Sequence, residues 1–316
     1  MLKREKQIEE YQKNLLALKA QGEKSGLWSK DEITTLEKKL EALKDTIYTD
    51  LSPWERVEIC RHPERPRSIH YIEAMCESFT EMFGDRLYGD DRAIIAGFGI
   101  IEGEKVVIIA QEKGNDTESR LYRNFGMPHP EGYRKALRMM KLAEKFGLPV
   151  VTLIDTPGAY PGLDAEERGQ GWAIATNLRE MASLATPIIG VVIGEGCSGG
   201  ALGVGVTDVV GMLEHGYYSV ISPEGCASIL WHDASKNAEA AEKLKMHAEH
   251  LIEAGVVDDI IKEPQGGAHL DKEAIFADVK TYIALQIDRL SALSHEELLA
   301  RRYHKYRKIG AFAVAS

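Results

Sequence analysis

The chain has 316 residues, 44% of them hydrophobic, and its 39 Lys and Arg face 49 Asp and Glu for a formal net charge of −10. That length suits one large α/β domain or two smaller ones, and a balance this acidic makes the chain a poor candidate for general nucleic-acid binding. Four scattered cysteines (Cys60, Cys76, Cys197, Cys226) form no C-x-x-C pair, which argues against a zinc site or disulfide framework here and suits a reducing compartment. The polar segment Met1–Gln7 does not read as a signal sequence, and no apolar run approaches membrane-spanning length. A soluble, cytoplasmic protein is expected.

Residues 1–48 are rich in Lys, Glu and Leu. Ile8, Tyr11, Leu15 and Leu18 fall at helical spacing, as do Ile33, Leu36, Leu40, Leu43 and Ile47, with Gly22 and Gly26 between the two sets. The pattern predicts a helical hairpin over 1–48 ahead of a main domain over 49–316. Such a hairpin cannot bury its seam alone; it lies against the main domain or a partner, or forms an internal flap. Pro53, Pro63 and Pro66 punctuate a linker with a short helix, and a further helix is predicted near His70 to Phe83.

Strand signals begin at Arg92. Arg92–Ile101 and Glu104–Gln111 are rich in Ile, Val and Ala and are joined by Glu102-Gly103, a hairpin signal. Glu131–Phe146 is amphipathic, with Tyr133, Leu137, Met140 and Ala143 on one side. Strand Pro149–Asp155, a helix from Ala165 to Leu184, strand Pro187–Ile193, a helix from Ser198 and strand Asp208–Leu213 follow. This alternation predicts a mostly parallel sheet in an α/β domain. Beyond Tyr217 the chain reads as mainly helical, through Lys236–Ala254, Lys272–Leu293 and Glu296–Arg307. The basic run Arg301, Arg302, Lys305, Arg307, Lys308 reads as a solvated face of the last helix.

Two strand-to-helix loops stand out, because ligands of such sheets collect at the carboxyl ends of parallel strands. Gly194-Glu195-Gly196-Cys197-Ser198-Gly199-Gly200-Ala201-Leu202-Gly203 has five glycines in ten positions, more than a turn requires. Glycines there let main-chain N–H groups face a ligand at the positive end of a helix, an arrangement suited to an oxyanion or a phosphate. Asp155-Thr156-Pro157-Gly158-Ala159-Tyr160-Pro161-Gly162 is the second such loop, and the two are expected to wall one cleft. Gly196-Cys197-Ser198-Gly199-Gly200 also matches G-x-S-x-G, the nucleophile elbow of α/β-hydrolases. A serine hydrolase would need an acid from Asp208, Asp233 or Asp258 and a base from His232, His247, His250 or His269. None stands in a marked setting, and His247 and His250 read as surface residues of a helix. No G-x-x-x-x-G-K-[ST] loop occurs, the nominal G-x-G-x-x-G at Gly194–Gly199 lacks the acidic partner of a dinucleotide site, and His129 reads as a loop residue.

Longer blocks carry a family resemblance. Tyr122–Pro128, Pro130–Arg138, Asp155–Gly162, Glu166–Gln170, Gly194–Leu202, Ser219–Trp231, and Glu263-Pro264 with Gly266–His269 resemble the α subunit of bacterial acetyl-CoA carboxylase carboxyltransferase, in order and with short gaps from about Thr46 onward. Cys197 stands where the family leads one to expect glycine, which puts the backbone angle there in question. The resemblance implies a crotonase-like fold, a spiral of ββα units, with the N-terminal hairpin and a helical C-terminal region. It implies a β-subunit partner that binds acetyl-CoA and carries a zinc ribbon, in an α2β2 assembly with no metal in this chain. The α subunit would receive carboxybiotin on the biotin carboxyl carrier protein, with biotin carboxylase in the larger complex, and malonyl-CoA would be the product. Carried onto matching positions, the backbone N–H groups of Gly199 and Gly200 form an oxyanion hole for the biotin ureido oxygen, each donor worth roughly 3 kcal/mol of barrier. Gly158, Ala159, Tyr160, Gly162, Gly196 and Ser198 line the same substrate cleft. A serine hydrolase built on Ser198 and a non-catalytic scaffold subunit are the alternatives.

Overall fold

A computed structural model describes residues 30–310 together with residues 8, 10, 11 and 13–19. The predicted breaks at Gly22 and Gly26 and the segment Met1–Gln7 lie outside the described residues. In chain order the helices are α1 (helical over 13–19), α2 (Lys30–Thr49), α3 (Pro53–Cys60), α4 (Ser68–Met75), α5 (Thr117–Tyr122), α6 (Pro130–Phe146), α7 (Leu163–Glu167) and α8 (Gln170–Ala182). They continue with α9 (Ser198–Leu202), α10 (Pro223–Trp231), α11 (Asn237–Leu244), α12 (Ala248–Glu253), α13 (Lys272–Ser291) and α14 (His295–Arg307). The strands are β1 (Ser78–Glu81), β2 (Ile94–Ile101), β3 (Glu104–Gln111), β4 (Val150–Thr156), β5 (Ile188–Cys197), β6 (Val209–Leu213), β7 (Tyr217–Ser219) and β8 (Asp259–Ile261).

The eight strands of the described residues join one sheet in the order β1-β2-β3-β4-β5-β6-β8, with β7 pairing the far end of β5. β1, β2 and β3 are antiparallel; every pairing from β3 onward is parallel. The β2–β3 turn takes left-handed angles at Glu102 (φ 50°) and Gly103 (φ 79°), as a tight hairpin requires. Period-two alternation splits the sheet between two cores. Val107 and Ile109 of β3 pack with Tyr133, Met139 and Met140 of α6, whereas Val106, Ile108 and Ala110 pack with Tyr71 and Ile72 of α4 and Val279 and Ile283 of α13. Helices thus cover both faces, which is why every residue of β4 and β5 is buried.

Ile8, Leu15, Leu40 and Ile47 form the buried seam of the N-terminal helices. The end of α2 touches the main body: Gln265 Nε2 donates to Asp45 Oδ1 at 2.6 Å, and a Cβ on Gly266 would lie 2.7 Å from the Tyr48 ring.

Several expectations need correction. The helix near His70 to Phe83 stops at Met75, and Ser78–Glu81 is an edge strand on β2. Its residues alternate only between exposed and half-buried, so its sequence lacks a strong strand signal, and the fit depends on room left by glycine: a Cβ on Gly97 would sit 2.2 Å from the Thr80 carbonyl. The helix from Ala165 to Leu184 is two helices, broken where Gly169 turns left-handed (φ 80°), and the one from Lys236 to Ala254 is broken at Lys245 (φ 50°). β7 and β8, three residues each, are too short for periodicity to reveal. In the basic run, Arg302 is buried rather than solvated. It pairs with Asp208 at 2.7 Å and donates to the Met181, Leu184 and Thr186 carbonyls at 2.7, 2.7 and 2.9 Å, tying α14 to the ends of α8 and the start of β5.

Candidate functional site

Of the two predicted loops, Asp155–Gly162 leaves the end of β4, whereas Gly194–Gly203 is not a loop: Gly194–Cys197 completes β5 and Ser198 turns directly into α9. β4 and β5 pair regularly from Val150↔Ile188 to Ile154↔Val192, then the register shifts so that Thr156 faces Gly196. The shift brings the two segments together. A Cβ on Gly200 would fall 2.4 Å from Ala159 N and 2.5 Å from Gly158 C, so the first turn of α9 rests directly on the Gly158–Ala159 peptide. From behind, Gln111 Nε2 (2.8 Å) and the Tyr133 hydroxyl (3.2 Å) both donate to the Gly200 carbonyl and fix that turn. The facing loop is fixed as well. Thr156 Oγ1 donates to the Gly126 carbonyl at 2.6 Å, Tyr160 N donates to the Pro128 carbonyl at 3.1 Å, and Gln170 Nε2 donates to the Tyr160 carbonyl at 2.9 Å.

Gly199 is half-buried and, with Ser198, Leu202, Val210, Tyr218 and Tyr306, lines a largely apolar cavity of about 340 Å³. Gly200 lies buried behind it. Gly196 is also buried, with room for no side chain against Tyr218, and Gly162 packs on the Tyr160 ring. The expected doubt over Cys197 resolves: its φ of −114° is ordinary extended backbone, and the left-handed angle falls on Ser198 (φ 56°). Burial pushes the Cys197 thiol up to about 11, with Glu195 adding to the effect, so this cysteine is not a ready nucleophile.

The hydrolase constellation does not assemble. Among the described residues, no histidine lines the cavity that holds Ser198. His247, read from sequence as a surface residue, is buried with its ring nitrogens 3.1 and 3.0 Å from the Gly216 and Pro53 carbonyls, only one of which the neutral ring can bond as donor; burial, aided by Arg56, lowers it to about 4. His269 stacks on His62 with ring centroids 3.8 Å apart. Asp208 is taken by Arg302 and Asp258 by Lys305. His129 is a loop residue whose N–H donates to Asp91 Oδ2 at 2.6 Å.

One feature of the site escaped the sequence reading. At the carboxyl ends of β3, β4 and β5 sit Lys113, Asp155 and Glu195, a buried ionic cluster. Lys113 Nζ reaches Asp155 Oδ1 at 2.7 Å and also contacts Glu195, whose own N–H donates to Asp155 Oδ1 at 2.9 Å. Arg67 pairs with Asp155 at 3.2 Å, and Arg61 with Glu195 at 2.7 Å and with Glu224. Burial alone would raise the Glu195 carboxyl, but Lys113 and Arg61 outweigh it and hold the group well below the usual carboxylate range. Lys113 stays charged for the same reason: burial lowers it, while Asp155 and Glu195 raise it further. These groups border a second cavity, of about 230 Å³, walled by Arg61, Arg67, Lys113, Arg120, Phe125, Pro157 and Glu195. An ionisable residue just past three successive apolar runs was the available signal.

A sequence model described as acetyl co-enzyme A carboxylase carboxyltransferase-like matches residues 1–310. The chain belongs to that family. It is 61% identical over all 316 residues to the acetyl-coenzyme A carboxylase carboxyl transferase subunit alpha of Chlamydia pneumoniae, and 58% identical to that of Chlamydia caviae, covering 98% of each. Among solved structures, the carboxyltransferase-like fold is shared with the transcarboxylase 12S core at a TM-score of 0.59 and 17% identity, covering 90% of this chain and 53% of that one. The β subunit of Pseudomonas aeruginosa geranyl-CoA carboxylase follows at a TM-score of 0.56 and 15% identity, over 84% of this chain and 48% of that one. The chain thus spans about half the length of these structural neighbours, which share its crotonase-like fold. Among the described residues, no helix is long and apolar enough to cross a membrane.

Proposed function

We propose that this carboxyltransferase-like chain is the α half of an acetyl-CoA carboxylase carboxyltransferase, moving the carboxyl group of carboxybiotin, held on a carrier protein, to acetyl-CoA to give malonyl-CoA. The observation that carries the site assignment is the seat of Gly200 on the Gly158–Ala159 peptide, which joins the two glycine-rich segments next to Gly199, itself on the wall of an apolar cavity that no residue of Asp155–Gly162 lines. The first N–H groups of a helix have no acceptor within it, so those at Gly199 and Gly200 serve as donors to the ureido oxygen, where negative charge collects as the carboxyl group leaves. Rigid donors aimed at developing charge need no reorganisation during the step. The Gln111 and Tyr133 bonds to the Gly200 carbonyl supply that rigidity. Carboxybiotin provides the transferable carboxyl group, and its ureido nitrogen accepts the proton lost from the acetyl methyl, so no side-chain triad is needed.

In this reading Ala159, Tyr160 and Gly162 shape the cleft, and a β-type partner brings the acetyl-CoA site and its own zinc ribbon, forming α2β2 in the cytoplasm at the committed step of fatty acid synthesis. The test mixes the purified chain with a β subunit and follows malonyl-CoA-dependent carboxylation of free biotin. Turnover is expected only from the mixture; no gain over either chain alone overturns the reading.

A further inference from the structure

Four cations, Arg61, Arg67, Lys113 and Arg120, wall the second cavity. Asp155, Glu195 and Glu224 pair with Arg61, Arg67 and Lys113, and the buried Glu112 beside them is bonded to the Ile69 and Gly114 N–H groups. Donors nonetheless remain unfilled on two of the four cations. Arg67 is only 3% exposed, reaches Asp155 through Nη1 alone, and its buried Nε has no hydrogen-bond partner. Arg120, on α5, is half-buried and makes no side-chain hydrogen bond or ion pair among the described residues. Asp116, the acid that Arg120 stabilises from a turn away, is fully exposed and already caps α5 through Ser119.

A buried guanidinium N–H without an acceptor is costly, and the planar fork of arginine matches the oxygens of a carboxylate or phosphate. We propose that this cavity binds an oxyanion, the carboxylate or phosphate group of a substrate, with Arg67 and Arg120 as its donors and Lys113 as a fixed positive charge beside it. Pro157 is one of its walls and immediately precedes Gly158, on which Gly200 rests. The cavity therefore adjoins the main-chain site but is built from other residues. Arg61 is already bonded to Glu195, Glu224 and the Tyr217 hydroxyl, which leaves it little capacity for a ligand. Only the source of the anion rests on the carboxyl-transfer reading: the malonyl carboxylate on one side, the phosphates of coenzyme A on the other.

The full-length chain is titrated by calorimetry with malonate and, separately, with adenosine 3′,5′-bisphosphate, next to the Arg120→Ala and Arg67→Met variants, each checked for an unchanged circular dichroism melt. Arg120→Ala, at a half-exposed position, guards against misfolding of the buried variant. Binding of at least one probe to the parent chain is expected, weakening with added salt, and roughly tenfold or more weaker in Arg120→Ala. Malonate alone identifies a carboxylate site and the bisphosphate alone a phosphate site. If both bind, kinetics of the assembled complex decide: a carboxylate site raises KM for malonyl-CoA only, a phosphate site raises KM for malonyl-CoA and acetyl-CoA alike. Failure of both probes to bind the parent chain, or equal binding by Arg120→Ala, overturns the proposal and leaves an ion cluster of structural purpose. An assembled complex without turnover would instead sink the carboxyl-transfer reading while the titration result stands.

Discussion

Replacing Gly200 with alanine tests the joint between the two segments. The added methyl would lie 2.4 Å from Ala159 N, 2.5 Å from Gly158 C and 2.8 Å from Gly158 Cα, against an optimal separation of about 3.5–4.0 Å. All three obstacles are main chain, so no rotamer change relieves them, and one segment must move by about 1 Å. α9 is anchored through the Gly200 carbonyl and the facing loop through Thr156 and Tyr160, so the movement strains both. Overpacking of this kind costs about 1–3 kcal/mol, and a 1 Å displacement of a catalytic donor costs roughly a hundredfold in rate. Gly199→Ala is the control. Its methyl would meet only Ile174 Cδ1 and Cγ2, at 3.7 and 3.8 Å, in ordinary contact. Urea unfolding of the isolated chain should place Gly199→Ala within about 0.5 kcal/mol of the parent and Gly200→Ala about 1–3 kcal/mol below it. Carboxyl transfer by the assembled complex should fall roughly a hundredfold for Gly200→Ala while β-subunit binding persists. A Gly200→Ala protein as stable and active as the parent refutes the reasoning, as does a reversed order of the two variants.

Ser198→Ala should retain most carboxyl transfer, and a fluorophosphonate should leave Ser198 unlabelled in the mass spectrum; loss of activity together with labelling would restore the hydrolase reading. Glu263→Gln should cost about 3–5 kcal/mol in urea unfolding, because it leaves Arg65 charged and buried; that pair is bidentate at 2.7 Å, with both side chains fully buried. An equal midpoint for parent and variant would contradict this. His247 is held neutral, at about 4 against an ordinary 6.5, so the unfolded chain takes up the proton first. Its contribution is fully present above about pH 6.5 and is lost as pH falls from 6.5 through 4, on the order of 3 kcal/mol in all. His247→Gln should flatten that slope in melts taken across the range, and an unchanged slope would assign the acid sensitivity elsewhere.

Local pattern alone determined much of this protein. The apolar runs at Pro149–Asp155 and Pro187–Ile193, the Glu102-Gly103 turn, the amphipathic α6 and the glycine-rich segments after two strands each declare themselves within a dozen residues, because backbone angles and hydrophobic period are local properties; that β5 runs on through Cys197 straight into α9 does not. So were the family blocks, and with them Gly199 and Gly200. Tertiary structure decided what depends on partners distant in sequence. β1 exists because Gly97 leaves room for it, and Arg302 is buried because Asp208 and three carbonyls receive it. Lys113 and Glu195 meet because strands of the sheet end at one edge, and α3, α4 and α5 bring Arg61, Arg67 and Arg120 to the same cavity. Charged side chains carry no period of their own, so whether such a residue is solvated, paired or poised for a ligand is settled by the fold that surrounds it.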